Sequence, residues 1–461
     1  MEKNERTALL SPSSSPLTKK PIVATGWGSV FNLVNSAVGS GVLSFPWAYR
    51  SAGLGLALLV TVAAFVTTQC TQIILIRSAV QVVNNNNNNS NNNSDTTPRI
   101  VVKTLQDLVH VVLGRRWAIA TSVVISLYIF GACCSYMIIL CDALRALSLF
   151  SSAILQSLAF TVVSWVLVFP LCLAPNMAAL EKVSAATLAA ALFILAVVAL
   201  RAQGFPPAND ITWFHLDDWL DPRISPLNAP PVAILAFQAH IQTVPILYEL
   251  GPEPNAYSSA RDTTGRVRAV RQGQMTIYVG VAGDICLLLY TAMGVCGYLT
   301  FGDDLIQSNI LDSYNIHADH LAAAARLVVG LVMVVSYPVN QLCAQSAILD
   351  VLAELGGQRQ GNNDNIACTG DTSRRIVTFT FFTATFIIAL LVRDLGLVFD
   401  IVGATVGVYV ILLLPGALVY NDPTRNVFPF RIFTFVVLVG VGLAICSSTL
   451  TMQFMALVQS S

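Results

Sequence analysis

The sequence predicts an all-α polytopic membrane protein, and three observations lead there. The 461 residues are 55% hydrophobic and 11% charged, against about 25% charged in ordinary soluble domains. The apolar residues fall into eleven runs of spanning length; about 20 residues are needed to cross hydrocarbon. The basic residues gather on alternate loops. A large soluble helical core would show polar faces at helical period instead. Runs such as Gly53–Ile76 are apolar all round, which excludes that reading.

In chain order the runs lie at 27–49, 53–76, 117–141, 154–174, 183–200, 229–249, 275–300, 324–351, 376–392, 395–420 and 430–457. With the N-terminus in the cytosol, 19 of the 25 Lys and Arg fall on the cytosolic side. This positive-inside bias supports both the orientation and the count. Eleven spans then put the C-terminus on the lumenal or extracellular side. The opposite loops are acidic, with Asp210, Asp217, Asp218, Asp221, Asp303 and Asp304. The first 25 residues form a polar tail without an apolar core, so no cleavable signal peptide is expected. Net charge is zero, so there is no basic footprint for a nucleic-acid partner.

Residues 84–94 are almost pure Asn, a low-complexity insert unable to form a packed core. Residues 104–117 then read as a short amphipathic helix capped by Gly114. The ten cysteines lie mostly inside apolar runs and show no zinc spacing, so they read as packing residues. In the tail, Glu5 stands four residues before Leu9-Leu10. That spacing resembles an acidic dileucine sorting signal, read by a sorting adaptor, for the lysosome or vacuole.

The chain carries no G-x-S-x-G, Walker A or H-E-x-x-H motif, so no enzyme chemistry is predicted. No loop is long enough for a nucleotide-binding domain. What remains is a secondary transporter, a channel or a membrane-embedded receptor. Two spans carry interruptions that suit the first. In FNLVNSAVGSGVLSFP (31–46), Gly39, Ser40, Gly41 and Pro46 sit mid-span. In PPVAILAFQAHIQTVPILYEL (230–250), Gln238, His240, Gln242, Thr243 and Pro245 do so. Gly costs about 1 kcal/mol and Pro about 3 kcal/mol in a helix interior. A break also exposes N–H and C=O groups that hydrocarbon cannot satisfy. A small-residue packing motif would account for the first break and a plain proline kink for the second. The two breaks are five spans apart, in equivalent places of two five-helix halves, which points to an inverted-repeat transporter. Freed N–H groups suit a carboxylate and freed carbonyls a cation. In the eighth span, Ser336 stands beside Pro338 in VVSYPVNQLCAQ. A hydroxyl and freed carbonyls are hard ligands for an alkali cation, or the hydroxyl bonds its own turn. The intramembrane ionisable groups His240, Asp284 and Asp400 are the proton-coupling candidates.

The stretches FNLVNSAVGSGVLSFPWA, FQAHIQTVP, GVCGYLTFG (294–302) and SYPVNQLC resemble the sodium-coupled neutral amino acid transporters. That family lies within the amino acid/auxin permease superfamily, and the likeness is greatest to its lysosomal glutamine-transporting branch. The resemblance implies the LeuT-type fold: a 5+5 inverted repeat plus an eleventh transmembrane helix. It implies no cofactor beyond a coupling ion, sodium or a proton. Asn35 matches the first-helix asparagine implicated in sodium and substrate binding, Ser336 the eighth-helix Thr/Ser sodium ligand, and Val38 a carbonyl at the same ion. Gly39, Ser40 and Gly41 match the unwound loop that holds the amino-acid substrate. Phe237, Gln238 and His240 match the sixth-helix stretch facing it. The loop 202–228 lacks Cys and sequons, unlike members with a stapled, glycosylated loop there.

The domain organisation follows: tail 1–25, first repeat 26–201, non-cytosolic loop 202–228, second repeat 229–420 and last helix 421–461. The expected function is cation-coupled transport of neutral polar amino acids such as glutamine, with sodium favoured, in a vacuolar or lysosomal membrane. A proton-coupled vacuolar transporter and an endolysosomal amino-acid sensor are the alternatives. The sequons at Asn88 and Asn92 fall on the cytosolic side, so glycosidase treatment is expected to leave electrophoretic mobility unchanged. A glycosidase-sensitive shift lost in an Asn88→Gln or Asn92→Gln variant would overturn the topology.

Overall fold

The computed structural model describes residues 26–92, 102–146, 152–173, 180–204, 211–215, 225–250, 263–303, 307–315, 319–355, 371–392, 395–421 and 428–460. The candidate sorting residues Glu5, Leu9 and Leu10 lie outside them. Among the described residues every ordered element is helical. Ten of the segments are long and apolar enough to cross a membrane. The first apolar run is divided instead, and completes the predicted eleven.

That first run comprises α1 (Gly26–Ala37), a tight 3-10 turn at Ser40–Ser44 and α2 (Phe45–Ala52). Gly39 is the residue at which α-helical geometry is lost, and Pro46 restarts it at an N-terminal position that needs no N–H. The chain then reverses at Gly53, whose φ of +78° favours glycine. The second span is α3 (Leu54–Asn92), whose helix continues into the Asn-rich insert. The predicted amphipathic helix is α4 (Leu105–Leu113). Thr104 and Asp107 form a reciprocal capping box at its start, and Gly114 at φ +91° ends it. Arg115 already belongs to α5 (Arg115–Ala146).

The fourth span joins α6 (Ala153–Val163) to α7 (Phe169–Leu173) through a π-helical turn, and α8 (Leu180–Gly204) is the fifth. The sixth is broken into α9 (Ala229–Ala236) and α10 (His240–Glu249). Next come α11 (Thr263–Phe301), α12 (His320–Leu355) and α13 (Asp371–Leu391). The tenth span is α14 (Leu395–Val402) and α15 (Leu414–Tyr420), joined by π-helical turns at Gly403–Gly407 and Tyr409–Leu413. The eleventh is α16 (Phe428–Ser460), which buries little of itself against the bundle. Its polar ties are the Arg431 guanidinium, which donates to the Val419 and Tyr420 carbonyls of α15, and the Gln453 amide, which donates to Asp400 at 2.7 Å.

Close packing depends on absent side chains at several helix contacts. A Cβ at Gly330 of α12 would lie 2.7 Å from the Ala143 Cβ of α5. Gly294 and Gly297 of α11 face Tyr49 and Pro46 of α2, each leaving 2.5 Å for an added Cβ. Without a hydrophobic drive between helices in lipid, such close approach supplies the association energy.

The end of the bundle away from the start of α1 is sealed. Residues 211–215 lie across the turn between α2 and α3. The Leu54 and Gly55 N–H groups donate to the Thr212 and Trp213 carbonyls at 2.9 and 2.8 Å. The His215 N–H donates back to Ala52 at 3.2 Å. Asp303 accepts from Tyr298 at 2.6 Å and from Thr212 at 2.7 Å, with His215 Nε2 at 3.2 Å. Burial pushes the Asp303 carboxyl up, but these bonds outweigh it and hold it below the usual carboxylate range. A second clasp joins Arg326 of α12 to the carbonyls of Leu311 and Tyr314. Arg201 and Asp319 pair at 2.6 Å on the same side.

The glycine contacts differ in how much they can give. At Gly297 the obstacle is the rigid ring of Pro46; at Gly283 it is the end of the flexible Gln69 side chain. Gly297→Ala should therefore cost about 1–3 kcal/mol of stability, the usual cost of overpacking, and Gly283→Ala much less. Thermal unfolding of the two purified variants in one detergent checks the order.

Candidate functional site

The two breaks meet in the middle of the bundle. α1 ends at Ala37 and α9 ends at Ala236. Beyond the first, the Gly39 N–H reaches only the Ala37 carbonyl, at 2.9 Å. Beyond the second, Phe237–Ala239 leave helical geometry before α10 begins. A Cβ at Gly41 would lie 3.6 Å from the Ala236 Cβ, so the breaks are in contact. The Tyr290 hydroxyl of α11 stands 2.8 Å from the Ala37 carbonyl and 2.9 Å from the Ala236 carbonyl. It thereby serves the C-terminal ends of both helices, whose last carbonyls have no partner within the helix.

Beside the breaks is a cavity of about 290 Å³. Asn32, Asn35, Gly39 and Gly41 line it from the first span, and Gln238 and Gln242 from the sixth. Tyr128 and Tyr136 come from α5, Ser336 and Asn340 from α12. It runs out to Glu249, the exposed last residue of α10. Glu249 ends α10, and successive spans alternate in direction, so the mouth is at the end of the bundle where α1 begins. Glu249 is the one Asp, Glu, Lys, Arg or His in the described lining. The walls are otherwise amides, hydroxyls, a thiol and apolar groups.

Two lining side chains are buried with polar atoms that have no protein partner. Gln238 is 1% exposed, and neither its amide nitrogen nor its oxygen is bonded. Ser336 is 7% exposed and its hydroxyl is unbonded. Each such group carries a desolvation cost of about 1–3 kcal/mol that a bound ligand would remove. Asn340 donates to the Ser336 carbonyl at 3.1 Å, two residues from Pro338, whose missing N–H frees the Val334 carbonyl.

The structure distributes the remaining sequence-derived candidates as follows. Asn35 and Ser336 face the same cavity, with Val38 fully buried beside them and its N–H bonded to Val34 at 2.7 Å. Ser40 begins the 3-10 turn. Phe237 turns away from the cavity, its ring edge-on to Tyr290 at 5.1 Å and tilted to Phe65 at 5.9 Å. His240 also turns away. It is fully buried, and Nε2 lies 2.8 Å from the Thr71 hydroxyl of α3. That hydroxyl also has carbonyls of its own helix within reach. Asp400 is buried against α16 rather than in the cavity, and Asp284 is exposed on the outer face of α11. The cavity amides Asn32, Gln242 and Asn340 and the tyrosines Tyr128 and Tyr136 were not singled out as substrate-facing by motif alone. Their signal was polarity inside spanning runs.

The family described as transmembrane amino acid transporter protein matches residues 23–453. Sodium-coupled neutral amino acid transporter 7 of Xenopus laevis is 26% identical over 431 residues, covering 89% of this chain and 85% of that protein. Putative sodium-coupled neutral amino acid transporter 11 of Bos taurus is 26% identical, covering 84% and 74%. A crystal structure of a mutant manganese transporter from Eremococcus coleocola superposes with a TM-score of 0.57 at 13% identity, over 96% of this chain and 91% of that one. The last likeness supports the LeuT-type fold and nothing of the cargo.

Gln238 separates stability from activity. Gln238→Leu replaces an unpaired buried amide with an apolar group of similar size, so the ligand-free protein should melt at the same or a higher temperature. Uptake should be lost. A large fall in melting temperature would show that the amide is held by the fold instead.

Proposed function

The chain belongs to the transmembrane amino acid transporter family, and from that premise we propose that it carries neutral polar amino acids, glutamine among them, coupled to sodium. The observation that carries this reading is the wall of the cavity. An amino acid of zero net charge needs partners for its carboxylate and ammonium and no counter-charge for its side chain. The cavity offers amides, hydroxyls and two helix breaks, with its one acidic residue out at the mouth. Among the described lining residues a cationic side chain would find no buried carboxylate, and an anionic one no guanidinium or ammonium. Five lining amides, Asn32, Asn35, Gln238, Gln242 and Asn340, can each both donate and accept, which suits a carboxamide side chain.

The proposed sodium ligands are Asn35, the Val38 carbonyl and Ser336. They join the first broken span to α12, so an ion there would hold α12 against the break and order the backbone that receives the substrate. The N–H groups opening the Ser40–Ser44 turn suit the carboxylate. Each elementary charge carried inward gains about 2.3 kcal/mol per 100 mV. With the N-terminus in the cytosol, as the basic loops support, the cavity mouth faces the cytosol. The dileucine tail supports delivery to a lysosomal or vacuolar membrane through a sorting adaptor.

Radiolabelled amino-acid uptake into proteoliposomes, under sodium and proton gradients imposed separately, tests the proposal. Glutamine should accumulate with the sodium gradient, and Asn35→Ala or Ser336→Ala should flatten the sodium dependence without lowering the amount of reconstituted protein. Uptake driven by a proton gradient alone would overturn sodium coupling, and exclusion of neutral amino acids would overturn the substrate class.

A further inference from the structure

Tyr290 lies in none of the motifs above and does not line the cavity. It is fully buried on α11. Its contacts nonetheless reach both sides of the first break and the helix end and interhelical residues of the second. The hydroxyl meets Ala37, the last residue of α1, and Ala236, the last of α9. The ring stacks on Phe45, which opens α2, with centroids 4.5 Å apart and planes 7° apart. Its other contact is the edge-on ring of Phe237, inside the second break. Four segments that a hinge motion would separate therefore share one side chain.

A phenol has one proton. Two carbonyls stand within bonding distance of it, and both belong to helix C-termini, where the backbone dipoles leave partial negative charge. The proton can lie toward one carbonyl or be shared by both. If either helix end swings away, the hydroxyl must follow or lose that acceptor. The bond to the other break is then strained or lost as well.

We propose that Tyr290 is a positioning residue that makes the two helix breaks bend as one unit. Its hydroxyl ties the first and sixth spans at the points where each loses helical geometry. A coupling ion that orders the first break thereby also sets the second, where Gln238 faces the cavity. The inference concerns the transport cycle and holds whichever neutral amino acid is carried.

Tyr290→Phe removes the hydroxyl and keeps both ring contacts. Hydrogen exchange of the full-length protein in detergent, read by mass spectrometry, reports the two breaks separately and needs no ligand. Peptides covering 37–44 and 236–242 should both exchange about five-fold faster in Tyr290→Phe, the factor that one net hydrogen bond of about 1 kcal/mol contributes. Peptides from α13 should not change. In proteoliposomes, uptake from an equimolar mixture of labelled amino acids should show a fall in maximal rate of about the same factor with a much smaller change in KM. Faster exchange at one break only, or uptake at the parent rate, would overturn the proposal. Phe45→Leu is the companion variant: it loosens the ring's seat but keeps the hydroxyl. It should speed exchange around residue 45 and leave 236–242 at the parent rate. Equal effects of both variants on both breaks would make the role one of packing and overturn the hydroxyl bridge. Should Tyr290→Phe not be recovered folded, the parent protein decides alone. Coupled breaks exchange at a common rate as temperature is raised, and divergent rates overturn the proposal.

Discussion

A helix that stops inside hydrocarbon leaves carbonyls and N–H groups that water would otherwise meet, and this chain stops two helices at the same depth. Several polar features of the core answer that constraint. The ends of α1 and α9 meet the hydroxyl of Tyr290. The 3-10 turn after Gly39 brings back part of the missing bonding within the first span. What the backbone does not resolve is passed to side chains on the cavity side, where Gln238 and Ser336 stand unbonded. The site thus exists because the breaks are only partly repaired from within. The part left over has the donor and acceptor character that an amino acid and its ion can supply.

Much of the architecture was legible in the sequence because lipid demands length and apolarity, and both are one-dimensional properties. The eleven runs, the two interrupted spans and the Gly114 cap needed no tertiary information. Helical phase was harder to read. In spans that are apolar all round there is no stripe to say which side faces inward, so a polar residue in a run does not announce its direction. Phe237, Gln238 and His240 fall within four residues, yet only Gln238 faces the cavity. Asp284 and Asp400 looked alike as intramembrane carboxylates; one is exposed and the other is bonded to α16. Tyr290 was one of twelve tyrosines, distinguished by nothing local.

The loops were opaque for a related reason. Residues 211–215 form no regular element, and their partners lie in a turn more than 150 residues earlier. No periodicity encodes a pairing of that kind. Gly53 gave half of the signal, as a glycine between two apolar runs. Its closeness to the Thr212–Phe214 backbone gives the other half.

The seal at that end has an energetic consequence for alternation between states. Its backbone bonds, its Asp303 cluster and its arginine clasp lie outside or at the margin of the spanning segments, where water can enter as each bond parts. A bond exchanged for water costs little net free energy, about 1 kcal/mol, whereas one broken in the dry centre costs several times as much. Two conformations so arranged can lie within a few kcal/mol of each other.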